Sequence, residues 1–417
     1  MKVSEAIILA GGLGTRLRDT VPGLPKCMAP VAGRPFLFYV INYLRSQGVE
    51  KFIFSTGYKQ EVIAEYLTRQ FETLDYQCVI EEEPLGTGGA IQLACRLATE
   101  KMVVVVNGDT LYKADLHKAA SFHIHNNAAC TLLLKPMTDF DRYGAVTLDK
   151  DQLVGNFSEK KFYSAGNING GIYLLDPGKF IDEEFPEKFS FEKEYLEKMF
   201  KVRRIYGQVQ DEYFIDIGIP EDYKRAQLEL LQPPLDLRTI DERWTIFIDR
   251  DGVINHEKKD GYILNWDEFE FYESVKDAFR RFTQHFGKIV IVSNQRGVGK
   301  GLMTETELRA IHRQMKEEIE SAGGRIDHIY YCTSTDKKHP DRKPNPGMAF
   351  KAASEYPGID LSRSIIAGNK PGDMLFGRNA GLYTVFIKTT NPGQPLPHPD
   401  IDLAVDSLGE FAKALGS

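Results

Sequence analysis

The sequence predicts two α/β domains in tandem, and three observations carry that reading. Short apolar runs alternate with amphipathic stretches, the alternation breaks around Gln232-Pro233-Pro234-Leu235-Asp236, and 417 residues exceed what one ordinary core fills. In the first part, Ala6–Ala10, Lys51–Thr56, Gln77–Glu81 and Met102–Asn107 read as strands. Phe36–Gln47, Gln60–Arg69 and Gly88–Leu97 read as the helices between them. This rhythm implies a mostly parallel sheet covered by helices on both faces, with ligands at the carboxyl ends of the strands. The first domain takes residues 1–231, a linker 232–243, and the second domain 244–417. There a new strand, Trp244–Ile248, runs into Asp249, and further strands are expected at Ile289–Ser293, Ile329–Cys332, Ser364–Ala367 and Thr384–Ile387.

Composition narrows the class. Hydrophobic content of 42% and charged content of 27% are those of a soluble globular chain, and a net charge of −7 argues against a nucleic-acid partner. Five cysteines, Cys27, Cys78, Cys95, Cys130 and Cys332, are odd in number and unpaired in spacing, which fits a reducing cytoplasm better than a disulfide framework. The N-terminus enters a strand without an apolar leader, and no segment approaches bilayer length, so no membrane partner is expected. Nothing in the pattern fixes an oligomeric state.

The chemistry begins at Ala6-Ile7-Ile8-Leu9-Ala10-Gly11-Gly12-Leu13-Gly14-Thr15-Arg16, followed by Pro25-Lys26. Gly11, Gly12 and Gly14 leave the backbone N–H groups near Thr15 free to approach a phosphate chain, because no Cβ stands in the way. Arg16 and Lys26 can neutralise a triphosphate. A plain Gly-rich βα turn would account for the glycines but not for the two cations. The pattern is neither a Walker loop nor a clean dinucleotide fingerprint. It resembles the signature of the sugar-1-phosphate nucleotidyltransferases, G-G-x-G-T-R-L…P-K, continued here by Met28, Pro30, Val31, Gly33, Arg34 and Pro35.

That resemblance covers most of residues 1–225 and implies a Rossmann-like mixed sheet. It implies attack of a sugar-1-phosphate oxygen on the α-phosphate of a nucleoside triphosphate, with pyrophosphate leaving. Arg16 would grip the β/γ-phosphates, and Lys26 the α-phosphate or the sugar phosphate. Glu81 and the Gly86-Thr87 turn would lie against the nucleotide. Asp109, directly after Val103–Val106, is well placed for a metal on the sheet edge. Its convergence with Asp216 on Mg²⁺ is implied by the resemblance alone, as is a sugar pocket at Gly144, Glu159 and Asn169. Glu159-Lys160-Lys161 also reads as a solvated charge run, and Asn169-Gly170-Gly171 as a turn.

The second domain carries Asp249-Arg250-Asp251-Gly252, two carboxylates spaced i, i+2 after an apolar strand. Ser293-Asn294-Gln295, Arg342-Lys343-Pro344 and Gly368-Asn369-Lys370-Pro371-Gly372-Asp373 follow in order. Together these resemble the haloacid-dehalogenase superfamily, in its heptose-bisphosphate and histidinol-phosphate phosphatase branch. The resemblance implies a Rossmannoid domain without a large cap. Asp249 would be the nucleophile, Asp251 the acid and base, Ser293 a phosphoryl hydrogen-bond donor and Lys343 the charge partner. A second Mg²⁺ would be shared by Asp249, Asp251 and a group of the last motif, Asn369 or Asp373. Asn369 stands where the branch usually has an aspartate, which leaves activity open. A structural zinc is not expected, since Cys332 and His339 supply too few ligands before Arg342-Lys343-Pro344.

The two resemblances together imply sugar-nucleotide synthesis. A 1,7-bisphosphate that loses its 7-phosphate leaves the 1-phosphate that a nucleotidyltransferase activates. Heptose phosphates and GTP are the substrates implied, both from resemblance. Mannose or glucose 1-phosphate with a non-catalytic second domain is the alternative.

Overall fold

Glu5–Leu9 is a strand because its residues are apolar on both sides: Ala6 and Ile8 pack with Phe36, Leu37, Ile41 and Leu44, while Ile7 packs with Ile91 and Ala94 on the opposite face. A strand dry on both faces belongs in the middle of a sheet. In this computed structural model, which describes residues 3–12, 21–259 and 261–415, it does. Glu5–Leu9 pairs in parallel with Lys51–Thr56 and Val103–Asn107, and Lys51–Thr56 pairs in parallel with Asp75–Ile80. Each fully buried aliphatic side chain here contributes roughly 1.5–3 kcal/mol.

The expectation of a mostly parallel sheet holds for these four strands and for Ile205–Val209, which pairs in parallel with Cys130–Phe140. Tyr163–Leu175 runs antiparallel to Val103–Asn107, to Cys130–Phe140 and to Ala145–Leu148, which gives a mixed sheet of 9 strands. No helix lies between Cys130–Phe140, Ala145–Leu148 and Tyr163–Leu175, which leaves hairpin-like returns as the way back for these strands. A separate ribbon pairs Thr110–Tyr112 with Phe214–Asp216.

The chain divides into Met1–Gln232 and Pro233–Ser417. The stretch expected as a linker, 232–243, is therefore corrected. Leu235, Leu237 and Ile240 pack into the core of the second unit, so apolar burial holds the segment. In that unit six parallel strands run in the order His328–Cys332, Lys288–Asn294, Thr245–Ile248, Ser364–Gly368, Tyr383–Ile387, Leu403–Val405. Ile246 and Ile248 face Phe279 and Phe282, and Phe247 faces Met348 and Phe376. Among the described residues between Asp249 and Val275 the one helix or strand is the short turn Trp266–Glu268, and no cap domain is seen among them. Among the described residues no helix is long and apolar enough to cross a membrane, and none of the five cysteines is in a disulfide.

His123, buried in the first unit with Nδ1 at 2.9 Å from Thr131 Oγ1, has its pKa lowered to about 4, chiefly by burial. Its folded-state pKa is below the unfolded one. The stability it contributes is complete above pH about 6.5 and is lost as pH falls from there to about 4. Thermal melts between pH 7.5 and 4.5 should show the acid loss flattened in His123→Gln; an identical acid slope in the variant would contradict the assignment.

Candidate active sites

The carboxyl ends of the first domain's parallel strands open onto a cleft of about 910 Å³. Lys26 is its electrostatic centre. The ammonium bonds Asp109 directly and lies 3.4 Å from Asp216 Oδ1. The Thr110–Asp216 register of the short ribbon, with Ile217 N donating to Asp109 O at 3.1 Å, brings the two aspartates together from distant stretches of sequence. Burial pulls the Lys26 pKa down, but the two carboxylates outweigh it and hold it above its ordinary value. Burial first and the charge of Asp109 second push Asp216 upward in spite of Lys26. Two acidic oxygens facing each other with one ammonium between them suit a hard divalent cation such as Mg²⁺.

The predicted sugar residues line the same cleft: Gly144, Glu159 and Asn169, together with Lys160. A Cβ at Gly144 would stand 2.5 Å from Ser158 O, so glycine is what lets the two rims approach. Asn169 is fixed at both ends, its Nδ2 donating to Tyr173 OH at 2.8 Å and its Oδ1 accepting from Gly171 N at 3.1 Å. Gly12 also lines the cleft, whereas Gly14, Thr15 and Arg16 lie outside the described residues.

The residues expected on the nucleotide side, Glu81, Gly86 and Thr87, each make contacts of their own within the protein. Glu81 sits behind Gly11, where a Cβ would come 2.7 Å from its Oε1, and its carboxylate accepts from Ser55 Oγ and Leu85 N at 3.0 and 3.2 Å. It shapes the loops from behind. Gly86, at φ +72, needs glycine because a Cβ would lie 2.5 Å from Phe189 O. The Thr87 hydroxyl accepts from Phe191 N at 2.9 Å and donates to Glu192 Oε2 at 2.7 Å. The glycines of this turn are therefore a docking surface for residues 187–192. Ser190, Glu192 and Lys193, on or next to the π-helical turn Phe191–Leu196, also line the cleft. Sequence patterning gives them no signal, since a π turn has no apolar periodicity of its own.

In the second domain, Thr245–Ile248 lies between the strands that deliver Ser293 and Asn369, so all three motifs meet at one edge. The buried Lys343 ammonium bridges Asp249 Oδ1 at 2.8 Å and Asp373 Oδ1 at 2.6 Å. Burial and the charge of Asp373 push the Asp249 pKa up to about 7 against the pull of Lys343. Asp373 Oδ2 accepts from Asn369 N and Lys370 N at 3.2 and 3.0 Å, pinning the last motif. Asn369 is fully buried. Its Nδ2 donates to Thr390 Oγ1 at 2.6 Å and its Oδ1 has no partner among the described residues. A buried amide oxygen left without a partner, on the loop whose backbone binds Asp373, fits a bound Mg²⁺. Among the described residues no group of three or more His, Cys, Asp or Glu is arranged around a metal position, so each candidate Mg²⁺ site offers carboxylates in pairs. In the stretch before Arg342-Lys343-Pro344, Cys332 Sγ lies 3.5 Å from His339 Nδ1.

Asp251 is held from three sides. Arg250 grips it with Nη2 at 2.8 and 2.9 Å, Gln295 Nε2 reaches Oδ2 at 2.8 Å, and Asn255 Nδ2 reaches Oδ1 at 3.1 Å. Burial alone would raise its pKa, but the guanidinium and the amides hold it below the ordinary carboxylate value. Arg250 itself is buried against His312 Nε2 at 3.1 Å. Gln295 Nε2 also donates to Ser293 Oγ at 2.6 Å, and Asn294 exchanges hydrogen bonds with the Lys343 backbone at 3.0 Å each way. Arg250 stands inside the Asp-x-Asp motif, where spacing assigns it no task; its partner His312 is on a distant helix and could not be read from the motif.

Residues 5–233 match the family model described as Nucleotidyl transferase, and residues 245–393 match the one described as Polynucleotide kinase 3 phosphatase. The chain belongs to the nucleotidyl transferase family and carries a haloacid-dehalogenase-like phosphatase domain behind it. It is 52% identical over 226 residues to the D-glycero-alpha-D-manno-heptose 1-phosphate guanylyltransferase of Aneurinibacillus thermoaerophilus, which spans 54% of this chain and 98% of that relative. The protein of the same description from Campylobacter jejuni is 46% identical over 219 residues, covering 52% of this chain and 96% of its own. The crystal structure of HddC from Yersinia pseudotuberculosis complexed with GMP-PN is 36% identical, with a TM-score of 0.51 over 55% of this chain and all of that one.

A Cβ at Gly218 would stand 2.8 Å from Lys26 Nζ and 2.9 Å from Asp216 Oδ1, the mobile ends of the two groups. Gly218→Ala should therefore leave the melting temperature nearly unchanged while slowing nucleotidyl transfer about tenfold, because an ångström of displacement costs that much or more at a reacting centre. Turnover equal to the parent protein's would mean that Lys26 is not where the reaction needs it.

Proposed function

We propose that this protein performs two successive steps on one sugar. The second domain removes a phosphate from heptose 1,7-bisphosphate to leave heptose 1-phosphate. The first domain transfers GMP from GTP onto that product and releases pyrophosphate. The observation that carries the reading is Lys26 gathered with Asp109 and Asp216 in a cleft whose sequence follows heptose 1-phosphate guanylyltransferases over nearly their whole length. The phosphatase-family match supports the hydrolytic step.

In the first domain the sugar-phosphate oxygen attacks the α-phosphorus while the bond to pyrophosphate breaks. Little covalent chemistry is asked of the protein; positioning and charge neutralisation supply most of the rate. Lys26, kept charged by its two aspartates, meets the negative charge that builds on the phosphoryl oxygens. Gly144, Glu159 and Asn169 orient the sugar. Magnesium held by Asp109 and Asp216 would add Lewis-acid neutralisation of the triphosphate.

In the second domain an Asp249 oxygen attacks phosphorus and the bond to the sugar oxygen breaks, forming an aspartyl-phosphate. Asp251, ionised in the empty site, relays to the leaving oxygen a proton that arrives with the phosphate monoester monoanion, then takes one from the water that hydrolyses the aspartyl-phosphate. Lys343 offsets the charge of Asp249 and of the phosphoryl group, and Ser293 hydrogen-bonds a phosphoryl oxygen. Asn369 Oδ1, Asp249 and the Asp251 region would hold magnesium there.

The test is a product assay on the whole chain with heptose 1,7-bisphosphate, GTP and Mg²⁺, read by mass spectrometry; absence of a GDP-heptose would overturn the reading. Asp249→Asn should cut phosphate release by at least about a thousandfold and leave transfer from supplied heptose 1-phosphate intact. Lys26→Ala should lower transfer by about a hundredfold or more and spare phosphate release. Loss of both activities from either change in a folded protein would refute separate sites.

A further inference from the structure

Arg250 stands between the nucleophile and the proton carrier of the second domain. It is 1% exposed, and its backbone N–H donates to Asp249 Oδ1 at 2.8 Å. Its guanidinium is bound at both ends. Nε and Nη2 reach Asp251 Oδ1 at 3.1 and 2.8 Å, Nη2 also reaches Oδ2 at 2.9 Å, and Nη1 lies 3.1 Å from His312 Nε2. A guanidinium can only donate, so His312 Nε2 accepts, and the imidazole is neutral with its proton on Nδ1. An arginine this enclosed does not meet a phosphate itself. Asp251 keeps 26% of its side chain exposed, so Arg250 grips the carboxylate from behind and leaves its open side to a reacting oxygen.

His312 is the seat of that grip. It is buried on the helix Glu305–Ser321, whose inward face also carries Leu308, Ile311 and Met315. A capping box of Thr304 and Glu307 fixes the start of this helix. From the sheet side the Tyr331 ring stands 5.4 Å from the imidazole. The Tyr331 hydroxyl donates to Glu305 Oε1 at 2.8 Å and accepts from Arg309 Nε at 3.0 Å, which ties its strand to the same helix. Tyr331 is also the register partner of Ser293. Without an acceptor at Nη1 the guanidinium would hold a buried donor unpaired, and its place behind Asp251 would no longer be the favoured one.

We propose that Arg250 and His312 are positioning residues for Asp251: His312 seats the guanidinium, and the guanidinium holds the carboxylate where it can pass a proton to the leaving oxygen. The inference rests on the reading of the second domain as a phosphatase with Asp251 as its proton carrier. It gives a task to the residue between the two aspartates of the motif and to a histidine 62 positions further along the chain.

The experiment uses the full chain and compares kcat/KM for two phosphate esters, heptose 1,7-bisphosphate and p-nitrophenyl phosphate. This constant reports the steps up to the aspartyl-phosphate. A sugar alkoxide needs a proton in order to leave, and nitrophenolate does not. His312→Leu should lower kcat/KM for the sugar ester about tenfold and that for the aryl ester by no more than about twofold. Both esters are read in one sample, so any unfolded fraction cancels from the comparison. His312→Gln keeps an acceptor where Nε2 stood and should bring the sugar ester back to within about twofold of the parent. Arg250→Lys, a point charge in place of a fork, should act as His312→Leu does, and the double variant should be no worse than the more damaging single change, because both act through one contact. Equal losses on the two esters, no rescue by glutamine or additive effects would overturn the proposal. A parent chain that releases phosphate from neither ester would refute the phosphatase reading, and the proposal with it.

Discussion

In each half of the chain a lysine stands between two carboxylates that reach it from distant parts of the sequence, and both sites are built around that arrangement. Lys26 sits between Asp109 and Asp216, and Lys343 between Asp249 and Asp373. A pair of like charges about 4 Å apart repels by about 4 kcal/mol at the effective dielectric of a protein surface. One ammonium offsets part of this and leaves a net negative charge. The pKa directions agree: both lysines are held up against burial, and Asp216 and Asp249 are pushed up in spite of their lysine. Such a centre draws a divalent cation and, through it, a phosphate.

The fold makes these meetings possible by delivering loops from neighbouring parallel strands to one edge. In the second unit a single central strand, Thr245–Ile248, has the strand ending at Asn294 on one side and the strand ending at Gly368 on the other. Asp249, Ser293 and Asn369 then need no long-range coordination beyond sheet register. The first unit needs one more device. Asp216 is not on the main sheet, and the small ribbon with Thr110–Tyr112 brings it beside Asp109.

The strands and the motif residues were legible in the sequence because their signals are local. Lys51–Thr56 is a strand with the bounds its apolar run predicts, and Asp109 follows four valines. What resisted reading depends on partners far along the chain. The mixed half of the first sheet follows from how Tyr163–Leu175 returns between Val103–Asn107 and Cys130–Phe140, which no window of sequence contains. Gly86 and Thr87 read as ligand-facing residues in a window ending at Gly89, and their contacts with Phe189 and Glu192 come from a stretch that window does not contain. Pro233-Pro234 reads as a break, correctly, but the apolar side chains of Leu235, Leu237 and Ile240 commit the segment to one side of it.

Arg250 shows why such distant partners are kept. Enclosing a guanidinium and a carboxylate together costs several kcal/mol of hydration per ion, and an apolar pair of similar volume would often be as stable. The arrangement persists where orientation matters. Arg250 spends Nη2 and Nε on Asp251 and turns Nη1 to His312, whose pKa is lowered to about 3 by burial first and by Arg250 second. A neutral imidazole can offer Nε2 as an acceptor; a protonated one could not, and would repel the guanidinium. The enclosed histidine thus keeps Arg250 in place, and Arg250 keeps Asp251 aimed. Gln295 ties the same carboxylate to Ser293, so Asp251 and Ser293 share one hydrogen-bonded frame.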